Sequence, residues 1–576
     1  MLWKRTCTRL IKPIAQPRGR LVRRSCYRYA STGTGSTDSS SQWLKYSVIA
    51  SSATLFGYLF AKNLYSRETK EDLIEKLEMV KKIDPVNSTL KLSSLDSPDY
   101  LHDPVKIDKV VEDLKQVLGN KPENYSDAKS DLDAHSDTYF NTHHPSPEQR
   151  PRIILFPHTT EEVSKILKIC HDNNMPVVPF SGGTSLEGHF LPTRIGDTIT
   201  VDLSKFMNNV VKFDKLDLDI TVQAGLPWED LNDYLSDHGL MFGCDPGPGA
   251  QIGGCIANSC SGTNAYRYGT MKENIINMTI VLPDGTIVKT KKRPRKSSAG
   301  YNLNGLFVGS EGTLGIVTEA TVKCHVKPKA ETVAVVSFDT IKDAAACASN
   351  LTQSGIHLNA MELLDENMMK LINASESTDR CDWVEKPTMF FKIGGRSPNI
   401  VNALVDEVKA VAQLNHCNSF QFAKDDDEKL ELWEARKVRR LWSVLDADKS
   451  KDKSAKIWTT DVAVPVSQFD KVIHETKKDM QASKLINAIV GHAGDGNFHA
   501  FIVYRTPEEH ETCSQLVDRM VKRALNAEGT CTGEHGVGIG KREYLLEELG
   551  EAPVDLMRKI KLAIDPKRIM NPGQNL

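Results

Sequence analysis

No two of the twelve cysteines stand in a CxxC pair, and the closest two, Cys255 and Cys260, are separated by four residues. That spacing excludes zinc ribbons, cysteine-ligated iron–sulfur clusters and c-type haem attachment, so redox chemistry here needs another cofactor. An excess of one charge is also missing. Lys and Arg number 73 against 75 Asp and Glu, a net charge of −2, which leaves no overall electrostatic bias toward nucleic acid. Repeats and low-complexity tracts are absent from the main part of the chain. What is present in quantity is apolar sequence, 40% of 576 residues, enough for a globular protein of about three or four domains.

A more local absence marks the beginning. From Met1 to Thr37 there is no acid, while nine Lys and Arg alternate with Ser, Thr and apolar residues. Residues 1–40 therefore read as a mitochondrial presequence, with a basic surface tail as the alternative. Tyr46 to Ala61, YSVIASSATLFGYLFA, is uncharged between Lys45 and Lys62 and is flanked by Trp43 and Tyr65. Residues 43–65 fit a single short membrane anchor, slightly under the about twenty residues of a full span; a buried helix is the other reading. Behind a presequence, an anchor would leave the protein on the mitochondrial inner membrane with its catalytic part in the intermembrane space. Residues 66–147 are polar and helix-prone and read as a linker with entry helices.

Residues 152–202 then follow a strand, helix, strand, loop, strand order: RIILFP, TEEVSKILKICHDNN with Thr160 as N-cap, MPVVPF, and DTITVDL after the loop. The loop is PFSGGTSLEGH, Pro179 to His189. Its glycines allow backbone N–H groups to converge on an anion such as a diphosphate, although a tight turn would also use them. The spacing matches neither GxGxxG nor a P-loop, which argues against a Rossmann NAD site. Two more glycine-rich segments, PGPGAQIGGCIANSCSGTNAYRYG from Pro246 and GSEGTLGIVT from Gly309, suggest one long ligand along the domain.

In this order the three motifs resemble the FAD-binding domain of the vanillyl-alcohol oxidase and p-cresol methylhydroxylase (PCMH) superfamily. The resemblance implies an α+β protein: a two-subdomain PCMH-type FAD domain over residues 148–328 and an α+β substrate cap with an antiparallel sheet over 329–540. A C-terminal helical segment, 541–576, would return to the FAD domain. Contacts to FAD are implied for Pro179, Ser181, Gly182, Gly183, Thr184 and Ser185 in the first motif. The second motif contributes Pro246, Ile252, Gly253, Gly254, Asn258, Gly262 and Gly269, and the third Glu311, Gly315 and Ile316. Members that attach flavin covalently through the first loop carry a histidine after the paired glycines; this chain has Thr184 there, so the FAD is expected to be non-covalent.

Further on, LINAIVGHAGDGNFHAFIVY reads as two strands around an Asp-Gly turn. With Asp495 and Gly496 as a two-residue loop, His492 opposes His499, close enough to share a metal, although the pair could equally be structural. Glu534 and His535, in GTCTGEHGVGIGK, sit among glycines that leave them open to a cleft, and Glu534 could complete a His-His-carboxylate site. HxGDGNxH with GEHGxG resembles the superfamily branch that oxidises D-2-hydroxy acids. The resemblance implies His492, His499 and Glu534 as ligands of a divalent metal, Zn or Mn. It makes Asn497 a substrate contact, His535 the catalytic base and Arg436 a carboxylate clamp, where a plain surface arginine is the alternative. Relatives acting on 2-hydroxyglutarate place a lysine shortly before the DVxxP segment; Thr459 and Thr460 stand there in this chain, which favours D-lactate. With no second redox group in the chain, cytochrome c is the expected electron acceptor. The run Asp425-Asp426-Asp427-Glu428 is a candidate dock for it or simply a solvated face.

Overall fold

The computed structural model describes residues 95–138, 141–374, 382–436 and 455–574. The presequence and anchor readings fall outside these residues. Among them, no helix is long and apolar enough to cross a membrane.

The β-α-β reading of residues 152–202 forms a small sheet in the order Tyr125–Ser126, Ile153–Leu155, Ile199–Asp202, Val177–Phe180, with the last three strands mutually parallel. Parallel strands need a crossover, and the helix Thr160–Asp172 supplies it. Its cap differs from expectation by one residue. Thr159 accepts the Glu162 N–H at 3.1 Å, whereas Thr160 is buried and donates to the Thr318 hydroxyl. The chain's own end closes this sheet: Val177 N–H donates to Ile569 O and Asn571 N–H to Val177 O, at 2.8 and 2.7 Å.

A second, antiparallel sheet runs Val210–Asp214, Asp219–Gln223, Ile316–Lys323, Ile275–Val281, Ile287–Lys289. On its inner face Ile220, Val222, Met278 and Ile280 are fully buried with residues of the helix Trp228–Ser236 and the helix Ile252–Asn258.

The third sheet has eight strands, all antiparallel. Seven run in the order Cys417–Phe422, Ala330–Phe338, Thr388–Gly395, Ala360–Leu364, Asn487–His492, Asn497–Tyr504, Lys456–Thr459, and Val462–Ala463 pairs beside the sixth. Period-two alternation divides its side chains. Ala334, Val336 and Phe338 join one core with the helices Ile341–Gln353, Pro398–Leu414, Val466–Ser483 and Pro507–Asn526. Val333 and Val335 face the opposite side with Leu364, Val490 and Phe501. That second face carries the chemistry described below.

The hairpin register corrects the sequence reading. His492 pairs with Asn497 and Val490 with His499, so the loop has four residues, Ala493 to Gly496. Gly496 has φ +71°, and a Cβ on it would lie 2.1 Å from Val464 O; the turn is shaped by this neighbouring segment as well as by the Asp-Gly pair. The register error is two residues, which preserves the face of every side chain. His492 and His499 therefore remain together as diagonal neighbours, with ring centroids 5.5 Å apart.

Candidate functional site

A cavity of about 580 Å³ receives all three glycine-rich segments on one wall and the histidine cluster on the other. Pro179, Ser181 to Ser185, Pro246, Gly253, Gly254, Asn258, Glu311, Gly315 and Ile316 line it. The need for glycine at position 182 is explicit: a Cβ there would stand 2.5 Å from Gly249 O, so the first two segments could not lie against one another. Three of the expected cofactor residues are placed elsewhere. Ile252 is buried in the core of the second sheet. A Cβ on Gly262 would meet Asp245 O at 2.6 Å, and one on Gly269 would meet Glu273 Cβ at 2.6 Å; both glycines serve packing between chain segments.

Glu362, His492 and His499 project from the same face of the large sheet, because each alternates with residues of the helix-side core, such as Met361, Leu363, Ile489, Phe498 and Ala500. Glu362 is the direct cross-strand partner of His492. His492 Nδ1 donates to the Glu362 carboxylate at 2.9 Å, and His499 Nδ1 donates to Thr460 O at 3.1 Å. Those bonds set both tautomers and leave the two Nε2 atoms turned toward Glu534 Oε1, at 3.0 and 3.3 Å. The donor atoms of His492, His499 and Glu534 all lie within 4.8 Å of one another. Burial opposes a charge on His492, but Glu362 and Glu534 outweigh it and raise the imidazole well above its usual range; a divalent cation would take the place of the Nε2 proton, and two imidazoles with outer hydrogen bonds and one carboxylate fit such an ion.

Asp461 secures the loop that carries Glu534. It is 1% exposed and accepts the Thr532 hydroxyl, the Glu534 N–H and the His535 N–H at 2.8, 2.8 and 2.9 Å. Burial opposes its charge, but His535, Lys541 and His499 outweigh that and hold the carboxyl far below its usual range. Asn497 is spent on this network, donating to Asp461 Oδ1 at 2.7 Å and Val462 O at 2.8 Å. It does not line the cavity, so the expected substrate contact is a brace for the Asp461 carboxylate instead. His535 stacks on His499 with centroids 4.8 Å apart, and burial pushes its imidazole down to about 4. Lys541 bonds Glu187 at 3.1 Å, and despite burial that contact and His143 hold the Glu187 carboxyl at about 2.

Arg436 is 1% exposed and reaches Glu362 Oε2 with Nη2 at 2.5 Å. Its Nε and Nη1 have no hydrogen-bond partner among the described residues, and the same holds for Thr459 Oγ1, His535 Nδ1, Gln251 Oε1 and Asn571 Oδ1, all on residues that line the cavity. Unsatisfied polar atoms along a mainly apolar cavity, on Gln251 and Asn571 as well as on Arg436, Thr459 and His535, fit a ligand with several polar groups, as FAD with a small acid beside it would be. Sequence reasoning missed Glu362, Asp461, Lys541 and Glu187 as parts of the site. Glu362 left one trace, a lone acid inside the apolar run AMELL.

The acidic run has local duties. Asp425 caps the helix Asp426–Glu434 by accepting the Glu428 N–H at 2.9 Å, Glu428 accepts the Lys424 N–H at 2.7 Å, and Asp426 pairs with Lys429 at 2.7 Å.

Residues 151–291 match the FAD binding domain model and residues 327–575 match the model for FAD linked oxidases, C-terminal domain. Over 487 residues the chain is 64% identical to the mitochondrial D-lactate dehydrogenase [cytochrome] of Kluyveromyces lactis, covering 84% of each protein. The chain belongs to the FAD-linked oxidase family of D-lactate dehydrogenases (cytochrome). The Arabidopsis thaliana member of this family is 38% identical over 528 residues, 91% of this chain and 88% of that one. The mitochondrial D-2-hydroxyglutarate dehydrogenase of Danio rerio is more distant, 29% identical over 434 residues, 74% of this chain and 78% of that one. Among solved structures, p-cresol methylhydroxylase with substrate bound superposes with a TM-score of 0.65 at 16% identity, over 82% of this chain and 97% of that one. The 4-ethylphenol oxidase of Gulosibacter chungangensis gives 0.68 at 17%, over 83% and 98%. These structures share the PCMH-type α+β fold with the family member described here.

Proposed function

We propose that this FAD-linked oxidase converts D-lactate to pyruvate and passes the electrons to cytochrome c. The observation that carries the reading is the position of Arg436: a buried guanidinium with two nitrogens that have no partner among the described residues, in one cavity with His492, His499, Glu534 and His535. Non-covalent FAD along the glycine-rich wall would supply the hydride acceptor, and a divalent metal, Zn or Mn, on His492, His499 and Glu534 would supply a Lewis acid that acidifies the substrate hydroxyl.

The chain's own groups do the rest. Arg436 receives the carboxylate through an N–H left open among the described residues, while Glu362 holds Nη2 and thereby fixes the plane of the guanidinium. His535, kept neutral by burial, takes the hydroxyl proton as C2 gives up its hydride. Asp461 keeps the backbone of His535 and Glu534 in place through that event. Thr459, with a buried hydroxyl facing the cavity, offers no cation for a second carboxylate. Small monocarboxylates are favoured for that reason.

Three measurements test the reading. D-lactate should bleach the flavin anaerobically with a kcat/KM above that for D-2-hydroxyglutarate or glycolate; a preference for the dicarboxylate overturns the substrate. Flavin should leave the chain on acid precipitation. Cytochrome c reduction should slow as salt shortens the Debye length from about 10 to 3 Å, while a neutral dye is reduced at constant rate; activity with the dye alone would redirect the electrons to a quinone. Mitochondrial placement on the inner membrane, with the catalytic part in the intermembrane space, follows from residues 1–65 and is tested by protease protection in intact mitochondria and in mitoplasts.

A further inference from the structure

One end of the second sheet has no role in the chemistry above. The segment KTKKRPRK, Lys289 to Lys296, places six basic residues in eight positions without an acid. It leaves the edge strand Ile287–Lys289 and crosses to the opposite edge, where Arg293 bonds Asp214 Oδ2 at 3.1 Å, Asp219 Oδ2 at 3.3 Å and the Asp217 carboxylate. Arg295 adds two bonds, to Asp217 O at 3.1 Å and Leu218 O at 2.9 Å. A five-stranded sheet is about 19 Å across at this spacing, so the segment is stretched over its whole end and clamped at the far side. Lys323, at the end of the central strand Ile316–Lys323, adds its charge beneath it and bonds Glu273 O.

The clamp engages the three acids of the hairpin. Asp214, Asp217 and Asp219 all pair with Arg293, whereas Lys215, Lys289, Lys291, Lys292 and Lys296 have no ion-pair partner among the described residues. Two large side chains adjoin this charge along the chain and have almost no cover: Leu216, next to Lys215 at the tip of the clamped hairpin, is 96% exposed, and Tyr301, in the continuation of the basic segment, is 95% exposed. We propose that this end of the sheet is a docking surface for an anionic lipid bilayer, with the lysines over the headgroups and Leu216 and Tyr301 at the interface. Phosphate backbones of nucleic acid would satisfy the lysines but give Leu216 no apolar environment. A bilayer interface satisfies both. The surface also lies at the opposite end of Ile316–Lys323 from Ile316, which lines the cavity, roughly 23 Å along the strand at about 3.3 Å per residue. A protein held by this end would keep the cavity away from the lipid.

The test uses the full chain and vesicles of phosphatidylcholine, with or without about one-third phosphatidylglycerol, in direct competition. An apolar segment inserted elsewhere in the chain does not distinguish these two, so the anionic-to-neutral partition ratio reports the surface charge. Each lysine near an anionic surface contributes about a fivefold factor. Lys291→Gln, Lys292→Gln and Lys296→Gln together should therefore lower the ratio about 100-fold, with D-lactate turnover unchanged as the control for folding. Leu216→Ser with Tyr301→Ser should lower partition to both vesicle types. A triple variant whose ratio stays within about twofold of the parent overturns the proposal. So does a variant that loses affinity for duplex DNA while retaining its preference for anionic vesicles.

Discussion

Glu362 makes a demanding test because it serves two groups at once. Its carboxylate takes the Nδ1 proton side of His492 at 2.9 Å and the Arg436 guanidinium at 2.5 Å, with Glu362 and Arg436 each 1% exposed. Glu362→Gln keeps the shape but offers one carbonyl oxygen to two donors, and its amide then faces whichever donor is left. Stranding a buried charge costs about 3–5 kcal/mol. Taking the lower value, thermal unfolding of the cap should fall by roughly 6–12 °C, at about 2–4 °C per kcal/mol for a domain of this size. Loss of the outer hydrogen bond on a metal-ligating histidine weakens metal binding by about 10–100-fold. Replacing both partners, Glu362→Met with Arg436→Met, removes the stranded charge and should recover most of the stability. Activity should not return, because the carboxylate fork is gone. The assays are calorimetry, metal retention after dialysis and steady-state kinetics with D-lactate. A Glu362→Gln protein with unchanged melting, metal content and KM would refute the account of how this face is assembled.

His535→Ala should lower kcat for D-lactate by about 100-fold to 10,000-fold with FAD still bound, as read by the flavin spectrum after gel filtration; normal turnover at neutral pH removes it as the base. Gly182→Ala places a methyl 2.5 Å from Gly249 O and should reduce FAD retention while the melting of the cap is unaffected. His325 donates from Nε2 to Asn274 Oδ1 at 2.7 Å, and burial pushes its imidazole down to about 4. The unfolded chain then binds the extra proton between about pH 6.5 and pH 4, so its contribution to stability is present above that window and lost as pH falls through it. With partial exposure discounted, His325→Gln should reduce the acid-side stability loss by about 2 kcal/mol in urea titrations; an identical pH profile would show that the group is solvated. Asp425→Ala should cost about 1 kcal/mol through its helix cap, and the salt dependence of cytochrome c reduction is expected to persist without it.

Local pattern carried a large part of this protein. Strand, helix, strand and loop between residues 152 and 202 were legible from hydrophobic period and turn residues, and the glycine-rich segments marked one wall of the cavity, because bare backbone at strand ends is a property of neighbouring residues alone. The face of His492 and His499 was legible for the same reason: period two survives a two-residue change in register, whereas the turn that sets the register packs Gly496 against Val464, in the segment just after the strand Val462–Ala463. Tertiary structure decided what sequence distance concealed. Glu362 lies 130 residues from His492 and becomes its partner only when two strands pair. Asp461 acquires its purpose only when the backbone of Glu534 and His535 is brought to it. Asn497, placed by motif at the substrate, is instead hydrogen-bonded to that carboxylate, since a buried charge draws every donor within reach and such demands are set by folding, not by spacing along the chain.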